Sequence, residues 1–130
     1  MTDQTSRVSF FELPTDDMER ASKFYAEVFK WETPEQGGSN RWAYTAPTDK
    51  QGNLLETGAI NGDFRPRDKG LDRPLIMILV DDVDHQLKKV ERAGGKVIYP
   101  AQDERQFGGP VWAVFSDTEG NHMGMYSFGP

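Results

Sequence analysis

The sequence contains no cysteine and no long apolar run. The absence of cysteine excludes disulfides, thiol nucleophiles and thiolate metal sites. No apolar stretch approaches the roughly 20 residues that a membrane helix needs, and the start, "MTDQTSRVSF", lacks the apolar segment of a secretory signal. We therefore expect no membrane partner and a cytoplasmic location.

Positive charge is also scarce. The chain has 15 Lys and Arg against 21 Asp and Glu, which gives a formal net charge of −6. No basic stripe with interleaved aromatic residues occurs, and this argues against a nucleic-acid partner. The charge balance favours a neutral or cationic small molecule instead.

The 130 residues have the composition of a folded protein, with 36% hydrophobic and 28% charged residues. "RVSFFELP" predicts a first strand, and "TDDMERASKFYAEVFKW" predicts a helix that begins with a capping box from Asp16 to Glu19. Glu19 and Lys23 have the spacing of a favourable ion pair along that helix. Three more strands are predicted, within "WETPEQGGSN", "RWAYTAP" and "LLETGAI".

The second half of the chain repeats this order after a polar connector, "NGDFRPRDKGLDRP". "LIMILV" predicts a strand, "DDVDHQLKKVERAGG" a helix capped by Asp81 or Asp82, and "KVIYPAQ", "GPVWAVFSD" and "NHMGMYSF" three strands. The halves align with Asp17 on Asp82, an offset of 65 residues. The sequence therefore predicts an α+β fold of two βαβββ modules, about 7–62 and 73–128. We expect them to form a single domain, 1–130, around an internal pseudo-two-fold with a concave ligand space.

The chain resembles the vicinal oxygen chelate superfamily, which includes glyoxalase I, bleomycin-resistance proteins and extradiol dioxygenases. The resemblance rests on "FFELPTDDMERASKFYAEVFKWE", "ILVDDVDHQLKKVERAGGKVI" and "WAVFSDTEGNHMGMY", which follow the family's order and its repeat. The most similar members are described as related to lactoylglutathione lyase. The resemblance implies the glyoxalase/bleomycin-resistance-like fold and a homodimer.

Metal-dependent members of that superfamily take one ligand from the first strand and one from the last strand of each half. The resemblance places these four positions at Phe10, Leu75, Gly124 and, within "LLETGAI", Glu56. Of these residues, only Glu56 can coordinate a cation. His122 lies two residues away from an expected ligand position. We therefore expect no metal site and no cofactor, and a divalent metal is the alternative.

Three side chains are candidates for chemistry. His122 is either a general base or a strand-start histidine in solvent. Glu12 shares a strand face with Phe10, so it is a perturbed acid or base, a cation-binding group, or a salt-bridged rim carboxylate. Glu56 has the same alternatives. Gly124 is expected to leave room in the pocket.

Aromatic residues recur in the predicted strands, and "RWAYT" and "VWAVF" occupy matching places in the two halves. Some of these rings are expected to wall the pocket. The predicted ligand-binding residues are Phe10, Glu12, Trp42, Tyr44, Glu56, Leu75, Trp112, His122, Gly124 and Tyr126. We predict a glyoxalase-like protein that binds a small molecule there without the family's metal. The alternative is a lyase, isomerase or dioxygenase-type enzyme with no metal, or with an atypical metal site around Glu12, Glu56 and His122.

Overall fold

A computed structural model describes residues 5–129. Within this range the chain forms two α-helices, eight strands and one short 3-10 turn. The elements are β1 (Arg7–Thr15), α1 (Met18–Phe29), β2 (Glu35–Gly37), β3 (Asn40–Ala43), β4 (Gly62–Pro66), β5 (Leu75–Leu79), α2 (Val83–Arg92), β6 (Lys96–Asp103), β7 (Val111–Ser116) and β8 (His122–Ser127). Neither helix in this range has the length and apolar character needed to cross a membrane. Residues 1–4 and 130, the ends of the predicted domain, lie outside the described residues.

The chain divides into two compact units. The N-terminal unit is Phe10–Pro74, and the C-terminal unit holds the chain from Leu75 onward together with the first residues of β1, up to Ser9. Each unit contains a strand, a helix and three further strands in that order. The predicted α+β fold with its repeated βαβββ order is therefore confirmed, and the grouping of both modules into one domain stays a prediction.

The two units have the same strand topology. In the N-terminal unit the strand order is β2-β3-β4-β1, with β4 parallel to β1 and the other pairs antiparallel. In the C-terminal unit the order is β6-β7-β8-β5, with β8 parallel to β5 and the other pairs antiparallel. In both units, the first and last strands of the module are therefore direct neighbours.

The first helix begins one residue later than predicted. Asp17 is the N-cap, because its extended backbone lets its carboxylate accept a hydrogen bond of 3.0 Å from the Arg20 amide. Asp16 instead bonds the Arg67 side chain at 2.9 Å. The predicted pairing of Glu19 with Lys23 is also wrong, because Glu19 pairs with Arg41 of β3, and this contact ties the helix to the sheet.

The second helix follows its prediction closely. Asp82 is its N-cap and accepts a hydrogen bond of 3.1 Å from the His85 amide. Val83 and Leu87 face the sheet and pack with apolar side chains of β7 and β8 in one buried cluster. Helix and sheet thus bury their apolar faces against each other, as the periodicity of the sequence indicates.

The last strand of the N-terminal unit does not lie where it was predicted. Most of "LLETGAI" is an irregular loop, in which Leu55 is 64% exposed and Gly58 has a left-handed φ of +90°. The strand is β4, within the predicted connector. Gly62 starts it because a Cβ there would overlap the carbonyl oxygen of Phe11, and Phe64 is fully buried behind the sheet.

Candidate functional site

The sheet of the N-terminal unit has one face toward α1 and one face away from it. Phe64 contacts Tyr25 of α1, with ring centroids 5.6 Å apart, so the odd-numbered neighbour Asp63 points to the other face. In the strand register, Asp63 lies directly beside Glu12 of β1 on one side and Trp42 of β3 on the other. Two carboxyl groups and an indole therefore meet on the face away from the helix.

The acid pair, Glu12 and Asp63, is buried beside one guanidinium. Glu12 is 8% exposed and Asp63 is 3% exposed. Arg65, two residues along β4, donates to Glu12 Oε1 at 3.1 Å. Asp63 Oδ1 is buried and has no hydrogen-bond partner within residues 5–129. Charged groups this deep need compensation, and Arg65 supplies one positive charge against two carboxyl groups.

The environment of Asp63 favours its protonated form. Burial raises the pKa of Asp63 well above its ordinary value of 3.8, and the charge of Glu12 and a hydrogen bond with Glu12 raise this pKa further. The Arg65 guanidinium and the Gln36 amide act in the opposite direction without cancelling this effect. A buried carboxyl group that keeps its proton can donate a hydrogen bond or a proton.

Aromatic rings border the acid pair. Phe10 and Trp42 meet edge to face, with centroids 6.2 Å apart and an angle of 89°. Trp42 also stacks on Tyr44 at 6.1 Å and 26°. We call Phe10, Glu12, Trp42, Asp63 and Arg65 the acid–aromatic face. Four residues of the predicted ligand-binding set thus lie on or beside this face, namely Phe10, Glu12, Trp42 and Tyr44.

Glu56 is not on this face. It was predicted as a strand residue, but it lies exposed in the irregular loop that precedes β4. The predicted strand position is wrong because the chain reaches the sheet only at Gly62, six residues further on. The carboxylate of the last strand is Asp63. Sequence reasoning missed Asp63 and Arg65, and the alternation of polar and apolar residues in "GDFRP" is the signal that points to them.

The predicted residues of the C-terminal unit occupy the face away from α2. Met125 packs in the cluster under α2, so its neighbours Gly124 and Tyr126 alternate to the opposite face. Trp112 pairs with Tyr126 in the strand register, and its ring stacks on Tyr99 with centroids 5.1 Å apart. The Tyr126 hydroxyl lies 2.6 Å from the Ser9 hydroxyl. Leu75 is buried at the start of β5, on the same face by alternation.

Gly124 does not leave open room, and in this respect the expectation is wrong. A Cβ at this position would overlap the Sδ atom of Met77, its direct neighbour on β5. Both residues are buried. The Met77 thioether therefore packs against Gly124 and fills the space that a side chain at position 124 would need.

His122 lies half-buried at the start of β8, beside Ser116 of β7. Its Nδ1 atom is buried and has no hydrogen-bond partner in the part of the chain that is described. Residues 5–129 hold no group of three or more His, Asp or Glu side chains that could bind a metal ion, at His122 or elsewhere. The hypothesis of an atypical metal site around Glu12, Glu56 and His122 therefore has no support from the geometry.

The donor set does not fit the four-ligand metal site of metal-dependent relatives. In the C-terminal unit the predicted ligand positions Leu75 and Gly124 offer no donor atom. Met77, the strand neighbour of Gly124, offers only a thioether, where a hard divalent ion needs nitrogen or oxygen donors. In the N-terminal unit one oxygen of Glu12 already accepts from Arg65.

The two units carry different residues at equivalent positions of the repeat. An offset of 65 residues carries Glu12 onto Met77, and the strand neighbours of these two residues are Asp63 and Gly124. The same register position thus holds two buried carboxyl groups in one unit and two uncharged groups in the other. Polar chemistry at this position is restricted to the N-terminal unit.

A separate cavity of about 180 Å³ lies between α1 and the sheet of the N-terminal unit. Its walls include Leu13, Tyr25, Phe64 and Arg67. Arg67 is already bound to Asp16 and to the Asp72 carbonyl. The cavity therefore has mainly apolar walls, and the Arg67 guanidinium that lines it is already paired.

Comparison with known proteins gives matches across most of the chain. The model of the Glyoxalase/Bleomycin resistance protein/Dioxygenase superfamily matches residues 7–124. A glyoxylase-like domain-containing protein of Didymella fabae is 32% identical over 128 residues, with 88% of each chain covered.

Solved structures with the same fold include two enzymes. The Mn(II)-bound glyoxalase from Novosphingobium aromaticivorans has a TM-score of 0.56 and 21% identity, covering 95% of this chain and 40% of the glyoxalase. A methylmalonyl-CoA epimerase has a TM-score of 0.58 and 14% identity, covering 93% of this chain and 92% of the epimerase. At these identities the two structures show the fold alone. The family match and the Didymella relative go further: this chain belongs to the glyoxalase/bleomycin resistance protein/dioxygenase superfamily.

Proposed function

We propose that the protein binds a small molecule on the acid–aromatic face, without the metal site of its metal-dependent relatives. The observation that carries this proposal is the register of β1, β3 and β4, which brings Glu12, Asp63 and Trp42 side by side. Buried carboxyl groups next to aromatic rings suit a ligand with a cationic group and an apolar body. Sequestration of such a compound is the role that follows.

A thermal-shift comparison tests this proposal. Benzylammonium, at ten times its dissociation constant, is expected to stabilise the protein by about 1.4 kcal/mol, a rise in Tm of roughly 3–5 °C. Benzyl alcohol, which has the same ring without the charge, is the matched neutral compound and is expected to give a much smaller shift.

Two variants test whether benzylammonium binds at Glu12. Glu12→Gln is expected to remove most of the benzylammonium shift, whereas Glu56→Gln, in the exposed loop, is expected to keep it. Stabilisation by divalent metals together with no response to benzylammonium would overturn the proposal. Loss of the shift in Glu56→Gln but not in Glu12→Gln would place the ligand elsewhere.

An acid–base enzyme of the lyase or isomerase type is the second candidate. The raised pKa of Asp63 next to Glu12 favours it, because a protonated acid beside a carboxylate can move a proton to and from a substrate. Elemental analysis of protein purified without chelators separates this candidate from a metalloenzyme, since stoichiometric Zn, Ni, Fe or Mn would require metal chemistry. The homodimer and the cytoplasmic location also stay predictions.

A further inference from the structure

The acid pair has fewer positive charges around it than it needs if both carboxyl groups are ionised. Among residues 5–129, the groups that act on Asp63 or lie beside it are Glu12 from β1, Gln36 from β2, Trp42 from β3 and Arg65 from its own strand. Of these, only Arg65 carries a positive charge. With both acids ionised, one buried negative charge would remain without compensation, at a large cost in free energy.

The position of the two acids side by side also favours a proton between them. Glu12 and Asp63 are direct neighbours on adjacent strands, and two carboxylates offer each other only acceptor atoms. A proton on one of the two acids removes this repulsion. Asp63 is the more deeply buried of the pair, and its Oδ1 has no other partner within residues 5–129. With one proton, the acid pair has a single negative charge, which Arg65 balances.

We propose that Glu12 and Asp63 share one proton in the free protein and that the ammonium group of a primary amine replaces this proton on binding. The proposal rests on the function proposed above and names its ligand class. The shared proton leaves to solvent, both carboxyl groups become ionised, and the ammonium N–H groups donate the hydrogen bonds that the proton supplied. The charge of the site is the same before and after the exchange.

The exposure and the rings around the pair fit this ligand class. The Glu12 side chain keeps 11% of its surface exposed, so the ammonium group reaches the pair through Glu12. The rings of Phe10 and Trp42 lie beside the acid pair, where they can contact the apolar body of the amine. A quaternary ammonium, which has no N–H group, lacks the donors that replace the proton.

Calorimetry in buffers with different heats of ionisation counts the protons released. Benzylammonium binding to the wild-type protein, followed downward from pH 7, is expected to reach a release of close to one proton per ligand, and benzyl alcohol none. As pH increases toward the pKa of the shared proton, the affinity for benzylammonium is expected to rise about tenfold per pH unit. In Asp63→Asn the amide cannot titrate, so proton release is expected to fall to near zero.

Binding of benzylammonium to the wild-type protein without proton release overturns this inference and leaves the proposed function intact. No binding at millimolar benzylammonium overturns both.

Stability of the free protein gives a test that needs no ligand. Because the pKa of Asp63 is raised by folding, its contribution to stability is fully present below 3.8 and is lost as pH rises through the folded pKa. Urea unfolding across pH is therefore expected to show that the wild type loses stability relative to Asp63→Asn as pH rises from about 4. A constant difference between the two proteins across pH contradicts the shared proton. Should Asp63→Asn not fold, carbon-13 titration of the wild-type Asp63 carboxyl decides the point: a pKa at or below 3.8 overturns the inference.

Discussion

Replacement of Arg65 by methionine is expected to destabilise the protein by about 3–5 kcal/mol at neutral pH, because the change leaves the buried charge of the acid pair without its cation. Arg65 and Glu12 have side chains that are 17% and 11% exposed, so water screens their pairing poorly. Urea unfolding of Arg65→Met and wild-type protein, read by tryptophan fluorescence, measures the difference.

Two controls separate charge from packing in this experiment. Arg67→Met removes an exposed pair with Asp16 and is expected to cost only about 0–1 kcal/mol. With Asp63 protonated, as proposed above, the double variant Glu12→Gln/Arg65→Met has no uncompensated charge and is expected to recover much of the loss. If the double variant is as unstable as Arg65→Met, the loss comes from packing, and the electrostatic interpretation fails.

Gly124→Ala is expected to destabilise the protein by about 1–3 kcal/mol, although alanine normally favours strands more than glycine does. The added Cβ would overlap Met77 Sδ, and because Met77 is buried its side chain must change conformation within the core. Met77→Ala alone is expected to cost about 2–5 kcal/mol, since it removes a buried side chain. In the double variant the methyl group added at position 124 enters the vacated space, so the combined loss is expected to be smaller than the sum of the two separate losses.

The control for this cycle is the other buried methionine nearby. Met125 lies next to Gly124 in sequence but packs under α2, on the opposite face of the sheet. Gly124→Ala and Met125→Ala are therefore expected to be additive within about 0.5 kcal/mol. Equal coupling of Gly124→Ala to both methionines would mean that the strand responds as a whole and that Met77 has no special contact.

Clear hydrophobic periodicity made most of the fold predictable. The α2 segment has its cap at Asp82 and its apolar stripe at Val83 and Leu87, and the three strands after it are β-branched and aromatic. The cap of α1 was predicted one residue early because two adjacent aspartates both fit an N-cap pattern. Asp16 binds the Arg67 side chain, and this tertiary contact decides which of the two aspartates caps the helix.

The last strand of the N-terminal unit was not predictable from propensity. "GDFRP" contains glycine, aspartate and proline, which are rare in strands, and "LLETGAI" is the more apolar segment. Pairing with both β1 and β3 outweighs this preference, and Gly62 is needed where β4 approaches Phe11. Because the strand was missed, Asp63 and Arg65 were missed with it, whereas Phe10, Glu12 and Trp42 were found on well-predicted strands.

The sequence pattern also did not predict that the space at Gly124 is filled. A glycine in a strand indicates close approach of some other group, but the group that approaches depends on the register of the neighbouring strand. Here that register places Met77 beside it. Equivalent positions in a repeat can thus carry different chemistry, with carboxyl groups in one unit and a thioether in the other.

Backbone and side-chain NMR of the protein titrated with benzylammonium tests the proposed site most directly. We expect the largest shift changes at the Trp42 indole N–H, the Glu12 and Asp63 carboxyl carbons, and the Arg65 side chain. Glu56 in the exposed loop is expected to stay unchanged. Changes centred on Tyr25 and Arg67, the walls of the cavity under α1, with no change at Glu12 or Asp63, would contradict ligand binding on the acid–aromatic face.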